Sequence, residues 1–134
     1  MHLSLLVLRA EHPHRLAAFY EALGLRFKQE KHGSGPEHLS CELNGAVFEI
    51  YPRKSALEST QATRVGFAVP DLDAACQRAL AQHGELISGP SRGSYGLRAV
   101  LRDPEGHRVE LLETLEGQDG EPRRQPEAAD ELAA

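Results

Sequence analysis

The chain contains the same structural pattern twice. The segment LLVLRAEHPHRLAAFYEALGL, which begins at Leu5, reappears in outline as RVGFAVPDLDAACQRALAQHG, which begins at Arg64. Each copy starts with an apolar strand and continues into a helix with one apolar stripe. Later strands carry a central glutamate, Glu49 and Glu110, so the copies keep their register at offsets of 59 and 61 residues. Since one copy is too small to bury a core alone, we expect two modules that share a seam, with a ligand site along it.

Composition excludes several classes of partner. With 15 basic against 20 acidic residues and no basic stripe, the chain is not expected to bind nucleic acid. No apolar run approaches the roughly 20 residues that span a bilayer, and the N-terminus lacks the pattern of a signal peptide, so no membrane partner is expected. Cys41 and Cys76 lie in apolar patterns, which predicts two buried free thiols in a cytoplasmic protein.

Two amphipathic helices are predicted. The first begins at Pro13 and ends at Gly24, and the second begins after the N-cap Asp71 and ends at Gly84. Their buried stripes comprise Leu16, Phe19, Tyr20 and Leu23 in the first helix and Leu72, Ala75, Cys76, Ala79 and Leu80 in the second. Edge strands are expected over residues 25–30 and 85–88.

The most informative local signal is Asn44-Gly45, which joins HLSCEL to AVFEIY. Asn-Gly accepts the positive φ angles of a two-residue hairpin turn, and that turn sets residue 41 opposite 48 and residue 40 opposite 49. The apolar face, expected to pack on the helix, carries Leu39, Cys41, Leu43, Ala46, Phe48 and Ile50. The opposite, polar face carries His38, Ser40, Glu42, Val47, Glu49 and Tyr51.

The second copy predicts a similar hairpin, in which DPEG joins LRAVLR to HRVELLE. Before it, the glycine-rich segment 89–96 is expected to be a loop, either an ordinary connection or a flap over a site. From residue 116 the chain has almost no large apolar residue and is expected to be a solvated tail, residues 116–134. We therefore predict one α+β domain, residues 1–115, built from modules 3–52 and 63–114.

The doubled βαβββ pattern, with FYxxLGL at the first helix and DPEGHxxEL near the end, resembles the vicinal oxygen chelate superfamily. That group includes glyoxalase I, bleomycin resistance proteins, fosfomycin-resistance thiol transferases and extradiol dioxygenases. The resemblance implies a curved, incompletely closed mixed sheet around a cavity, with helices on the outer face. It is specific for the fold and much less specific for the chemistry.

In metal-dependent relatives, four positions bind the metal, and the resemblance places them at Leu5, Glu49, Arg64 and Glu110. Leucine has no donor atom and arginine stays protonated, so neither coordinates a divalent cation. No cofactor is therefore expected. The Arg64 guanidinium would instead lie between the two glutamates and keep both ionised. The alternative is a divalent metal (Zn, Ni, Mn or Fe) bound by Glu49 and Glu110 with His38, the one other histidine that faces the predicted cavity.

The predicted ligand-binding residues comprise Leu5, His38, Ser40, Glu49, Tyr51, Arg64, Tyr95 and Glu110. Glu49 and Glu110 are also the best candidates for catalytic groups; the alternative is that they only form ion pairs with Arg64 that keep the fold intact. Tyr51 and Tyr95 either offer a flat surface and a hydroxyl to a ligand or simply pack at a strand end and a loop. Phe19 and Tyr20 are assigned to the core.

Three functions are compatible with these residues. The first is a small-molecule binding protein without the family's usual metal. The second is a glyoxalase-like lyase, isomerase, dioxygenase or thiol transferase with an atypical metal site. The third is an interaction module without a ligand. The loss of both histidine positions favours the first, and the resemblance implies a homodimer that completes the cavity.

Overall fold

A computed structural model describes residues 1–114 of the chain, so the predicted tail, residues 116–134, lies outside the described residues. In chain order the elements are β1 (Leu5–Ala10), α1 (Pro13–Ala22), β2 (Lys28–Glu30), β3 (His38–Leu43), β4 (Ala46–Pro52), a 3₁₀ turn (Ala56–Glu58), β5 (Arg64–Ala68), α2 (Leu72–Leu80), β6 (Glu85–Gly93), β7 (Gly96–Arg102) and β8 (Arg108–Glu113). No helix among these residues is long and apolar enough to cross a membrane.

The strands form two mixed sheets, one in each module. Their orders are β1-β4-β3-β2 and β5-β8-β7-β6, and neither sheet closes into a barrel. In each sheet the first strand pairs in parallel with the last strand of its module, and the other pairs are antiparallel. The predicted α+β fold of two βαβββ modules is confirmed.

The register of the first hairpin is as predicted. Asn44 and Gly45 take φ angles of 50° and 84°, and Cys41 pairs with Phe48 and Ser40 with Glu49. This register turns Phe48 and the other apolar residues of the hairpin toward the core. The polar residues therefore lie on the opposite side of the sheet.

The core is one cluster of apolar residues contributed by both helices and both sheets. Each helix packs on its own sheet, and the helices contact each other. The Tyr20 ring of α1 joins the modules, because it packs edge-on against Phe48 at 5.0 Å and against Phe67 of β5 at 5.9 Å between ring centroids. Each polar face lies on the side of its own sheet opposite these core residues.

Both cysteines are free and buried, as predicted. Burial and the neighbouring Asp73 carboxylate raise the pKa of the Cys76 thiol, which keeps it protonated.

The predicted loop over residues 89–96 is wrong. Residues up to Gly93 belong to β6, which turns at 94–95 into β7, and the β6–β7 pairing shifts register twice, at Leu86/Ser88 and Ser88/Ser91. Gly89 allows this course, since its φ is 80° and a Cβ there would lie 2.5 Å from the Arg98 carbonyl oxygen. The glycines therefore build an irregular strand rather than a flap.

Two further boundaries differ from prediction. Helix α2 ends at Leu80, which is 38% exposed, and His83 takes the positive φ expected of Gly84. Gly84 is instead required for packing, because a Cβ there would lie 2.6 Å from the Phe19 ring. In the first module only Lys28–Glu30 of the predicted edge strand pairs with β3.

Candidate functional site

The outer side of the first sheet carries Glu30, His38, Ser40, Glu49 and Tyr51, which together are named here the N-terminal polar face. Cross-strand pairing brings them together, with Glu30 opposite His38 and Ser40 opposite Glu49. His38 and Ser40 are buried, with 3% and 5% of their surfaces exposed, while Glu49 and Tyr51 are half-buried. The polar face predicted from the hairpin is formed, and Glu30 extends it by one strand.

His38 is held rigidly. Its ring stacks on Tyr51, with centroids 4.2 Å apart and planes 8° from parallel, and the Arg9 guanidinium of β1 lies 5.2 Å from the Tyr51 centroid. The Nδ1 atom of His38 lies 3.2 Å from the Pro36 carbonyl oxygen. A carbonyl can only accept, so Nδ1 carries a proton, and whenever the ring is neutral the Nε2 atom carries the lone pair.

Four potential metal ligands converge around that lone pair. His38 Nε2 lies 3.5 Å from Glu30 Oε1 and 3.5 Å from Glu49 Oε2, and His32 Nε2 lies 3.4 Å from Glu30 Oε1. All four ligand atoms lie within 4.8 Å of one another. Of these four residues, the sequence analysis identified His38 and Glu49 as site residues but not His32 or Glu30. The signal for Glu30 was its position on β2 opposite His38 of β3.

The outer side of the second sheet carries Arg64, Arg98 and Glu110, named here the C-terminal polar face. Glu110 Oε2 accepts from Arg98 at 3.2 Å and from Arg64 at 3.4 Å. Arg98 and Glu110 are buried, whereas the side chain of Arg64 is 34% exposed. The pairing of Arg64 with Glu110 was predicted; Arg98 was missed, although the alternation along β7 places it on the same face.

A buried hydrogen-bond network joins the two modules. The Tyr20 hydroxyl donates to Asp103 at 2.5 Å, and Asp103 also accepts from His107 Nδ1 at 2.9 Å. His107 Nε2 in turn accepts from the Thr60 hydroxyl at 2.7 Å, and Thr60 Oγ1 accepts from the Arg9 amide at 3.0 Å. Burial, followed by the charge and hydrogen bond of Asp103, raises the pKa of Tyr20 well above its usual value.

The turn between β7 and β8 also binds the segment that leads into the first helix. The two carboxylate oxygens of Glu105 accept the backbone amides of Glu11 and His12, each at 2.9 Å. The FY motif of α1 and the DPEGH motif before β8 are therefore directly bonded across the module junction. Both motifs specify how the modules pack, and this is why they indicate a fold and not a reaction.

Comparison with known families agrees with this junction. The sequence profile of the glyoxalase/bleomycin resistance protein/dioxygenase superfamily matches residues 2–111. The chain belongs to this superfamily. It matches no curated protein.

Several solved structures of the superfamily have the same fold. A glyoxalase-related enzyme from Fulvimarina pelagi has a TM-score of 0.68 at 19% identity, over 92% of this chain and 98% of that one. TnmS3, an antibiotic binding protein from Streptomyces sp. CB03234, has a TM-score of 0.66 at 20% identity, over 86% and 97% of the two chains. A family enzyme from Burkholderia phytofirmans PsJN has a TM-score of 0.67 at 19% identity, over 86% and 100%. At these identities the likeness concerns the fold alone.

At the four positions that the resemblance assigns to the metal, the residues of this chain do not fit one. Leu5 is 51% exposed and has no donor atom, and the Arg64 guanidinium already lies on Glu110. Glu49 pairs with His38. Among the described residues of one chain no contact joins Arg64 to Glu49, so the prediction that Arg64 lies between the two glutamates is wrong. The physical reason is that β4 and β8 belong to different sheets.

The remaining predicted residue, Tyr95, lies in the β6–β7 turn and is half-buried. Its ring folds against Gly93, where a Cβ would lie 3.1 Å from Tyr95 Cζ. A small cavity of about 150 Å³ lies on the opposite module between the start of α1 and β2–β3. It is lined by Pro13, His14, Gln29, Glu37, His38 and Leu39.

Proposed function

We propose that this protein is a homodimer that binds a small organic molecule between the N-terminal polar face of one chain and the C-terminal polar face of the other. The observation that carries the proposal is that the two faces belong to separate sheets, and that among residues 1–114 no ion pair joins one face to the other. Each face collects polar side chains that could contact the hydrogen-bonding groups of a ligand. We therefore treat each face as half of a site.

The open edges of the sheets support pairing between chains. β1 and β5 are edge strands, and edge strands present unpaired backbone groups that favour association with another chain. Beside β1, Leu3 is 72% exposed and Leu5 is 51% exposed. Burying these leucines against a second chain would contribute the apolar area that one chain leaves in water.

The proposed ligand contacts comprise Leu5, His38, Ser40, Glu49 and Tyr51 from one chain and Arg64, Tyr95 and Glu110 from the other. These side chains offer a hydroxyl, carboxylates, a guanidinium and an imidazole, a set that recognises a ligand with several hydrogen-bonding groups. Binding without chemistry is favoured because Leu5 and Arg64 replace metal ligands. TnmS3 is described as an antibiotic binding protein, which is compatible with this use of the fold.

Nucleic acid and membranes are not proposed as partners, because the formal net charge is −5. We place the protein in the cytoplasm, where its two free cysteines would stay reduced.

The second candidate function is catalysis by a lyase, isomerase, dioxygenase or thiol transferase with an atypical metal. The observation that favours it is the cluster of His32, His38, Glu30 and Glu49. Glu110, which is not among these ligands, would then act as a general base.

Solution mass tests the dimer. Sedimentation equilibrium should give about twice the chain mass of 14.7 kDa, and Leu5→Glu at the β1 edge should shift the mass toward a single chain. Leu57→Glu is the matched control, because Leu57 is 98% exposed and lies away from the sheet edges. A wild-type mass of one chain at all concentrations would refute the shared site.

A thermal-shift screen tests the ligand. A compound that binds only the folded dimer should raise the melting temperature of the wild type and not that of Leu5→Glu. An equal shift in both proteins would show that one chain binds alone. Compounds that bind are then incubated and analysed by mass spectrometry, since conversion to a product would favour the enzyme over the binding protein.

A further inference from the structure

The environment of His38 Nε2 is electrostatically unusual. The side chain is 1% exposed, and Nε2 forms no hydrogen bond with any of residues 1–114, although two carboxylate oxygens lie 3.5 Å away. A charge-assisted hydrogen bond would measure about 2.7–2.9 Å. Because Nδ1 faces the Pro36 carbonyl, Nε2 is the ring atom that faces Glu30 and Glu49. Two carboxylates and a ring nitrogen this close require a positive charge among them, which a bound cation would supply.

The spacing of the ligand atoms fits such a cation. Zinc binds imidazole nitrogen and carboxylate oxygen at about 2.0–2.2 Å, so ligands on a tetrahedron around it lie about 3.4 Å apart. The distances from Glu30 Oε1 to the Nε2 atoms of His32 and His38 are 3.4 and 3.5 Å, and His38 to Glu49 is 3.5 Å. The remaining pairs lie within 4.8 Å and need only side-chain rotation to close.

We propose that Glu30, His32, His38 and Glu49 bind one divalent first-row transition ion, such as Zn²⁺, within the N-terminal module of a single chain. Two imidazoles and two carboxylates are ligands that Zn²⁺ and its neighbours in the series accept. The site shares only Glu49 with the superfamily's four metal positions. It does not depend on the ligand or on the dimer of the proposed function.

The surrounding residues prepare the site. The Pro36 carbonyl orients His38 as outer partners orient metal-binding histidines, and the Tyr51 stack fixes its ring. His32 is 71% exposed and would close the site from the solvent side. Lys28 Nζ lies 3.4 Å from Glu30 Oε2 and is also 71% exposed, so it competes with the ion for Glu30 but can move into solvent.

Zinc titration tests the site. The full chain is stripped with a chelator and titrated with Zn²⁺ against a chromophoric competitor, and Co²⁺ is used to record the visible bands of a four-coordinate ion. One ion per chain is expected. His38→Ala should weaken binding at least about 100-fold and His32→Ala about 10-fold, since second-sphere changes alone cost about 10–100-fold.

The controls separate this site from the alternatives. Glu110→Gln and His83→Asn should leave the affinity unchanged, because the first lies on the other polar face and the second is a remote surface histidine. Unfolding curves identify variants that fail to fold, in which case His32→Ala and Glu30→Gln carry the test.

Three results would overturn the proposal. The first is no saturable binding of Zn²⁺, and the second is unchanged affinity in folded His38→Ala or Glu49→Gln. The third is loss of binding in His2→Ala, which would assign the ion to the N-terminal histidine.

Discussion

The two modules share one backbone plan but place opposite chemistry on their polar faces. Glu49 and Glu110 occupy the same position, each on the last strand of its module and opposite the first strand. His38 and Arg98 also correspond, since each lies two residues before the residue that pairs with its glutamate, Ser40 or Val100. An imidazole therefore stands in one module where a permanent guanidinium stands in the other.

This difference explains why the faces behave differently. Arg98 and Arg64 both donate to Glu110, so the C-terminal polar face satisfies its carboxylate with the protein's own cations. On the N-terminal polar face the buried partner of Glu49 is His38, whose imidazole, unlike a guanidinium, can be neutral. Glu30 adds a second carboxylate beside it. The duplicated fold thus preserves the backbone and the core while each face acquires its own charge.

The hydrogen bonds among Tyr20, Asp103 and His107 join the two modules, so removing them should have the largest effect on stability. Asp103→Ala leaves the Tyr20 hydroxyl and His107 Nδ1 buried without their acceptor. We expect it to lower the free energy of unfolding by about 3–5 kcal/mol. Urea unfolding measures this loss, and Asp73→Ala on the exposed side of α2 is the control. A loss below about 1 kcal/mol, roughly that of one ordinary hydrogen bond, would show that Asp103 does not hold the modules together.

The C-terminal polar face should be the more sensitive face to loss of a cation. Arg98→Met removes a buried partner of Glu110 and should destabilise the protein by about 2–3 kcal/mol. Arg64→Met should cost about 1 kcal/mol or less, because Arg64 is 34% exposed. Chemical denaturation near neutral pH measures the free energy of unfolding of both variants. Equal losses of stability, or an Arg98→Met variant as stable as the wild type, would contradict the expected difference.

Stability at alkaline pH should test the contact between Tyr20 and Asp103 independently of the two polar faces. The pKa of Tyr20 is raised in the folded protein, so above about pH 10 the unfolded chain releases a proton that the native state retains. Stability is therefore unaffected below that pH and falls above it, by at most about 1.4 kcal/mol per pH unit. Tyr20→Phe should reduce this slope, as measured by thermal unfolding between pH 8 and 11; an unchanged slope would contradict the assignment.

The smallest expected effect concerns Lys28. Desolvation raises the pKa of Glu30, but the hydrogen bond and charge of Lys28, together with His32, outweigh it and lower the pKa overall. Lys28→Gln should move the pKa of Glu30 up toward its ordinary value, as followed by NMR titration, and leave the unfolding curve unchanged. The same variant should bind zinc more tightly, and weaker binding would contradict the proposed competition.

Much of the fold was predictable because local chemistry fixes it. Asn44-Gly45 determined the hairpin turn and therefore which residues share a face, and Asp71 caps α2 by accepting the Ala74 amide. The length of β6 was not predictable in this way. Its glycines and register shifts mimic a loop in sequence, and only pairing with β7 makes the segment a strand.

The site was only partly predictable. His38 and Glu49 follow from the hairpin register, whereas His32 follows no periodic element and Glu30 depends on the short pairing of β2 with β3. Arg98 was predictable from the alternation of side chains along β7, which places it on the same face as Glu110. The separation of the two faces depends on how the modules pack, which the sequence repeat alone does not specify.

The contrast between the two polar faces is tested most directly by anomalous diffraction at the zinc edge from crystals soaked in Zn²⁺. We expect one anomalous peak per chain, about 2.0–2.2 Å from His38 Nε2 and from the carboxylate oxygens of Glu30 and Glu49. No peak is expected beside Arg98. A peak bound by Glu110, or no peak at His38, would contradict it.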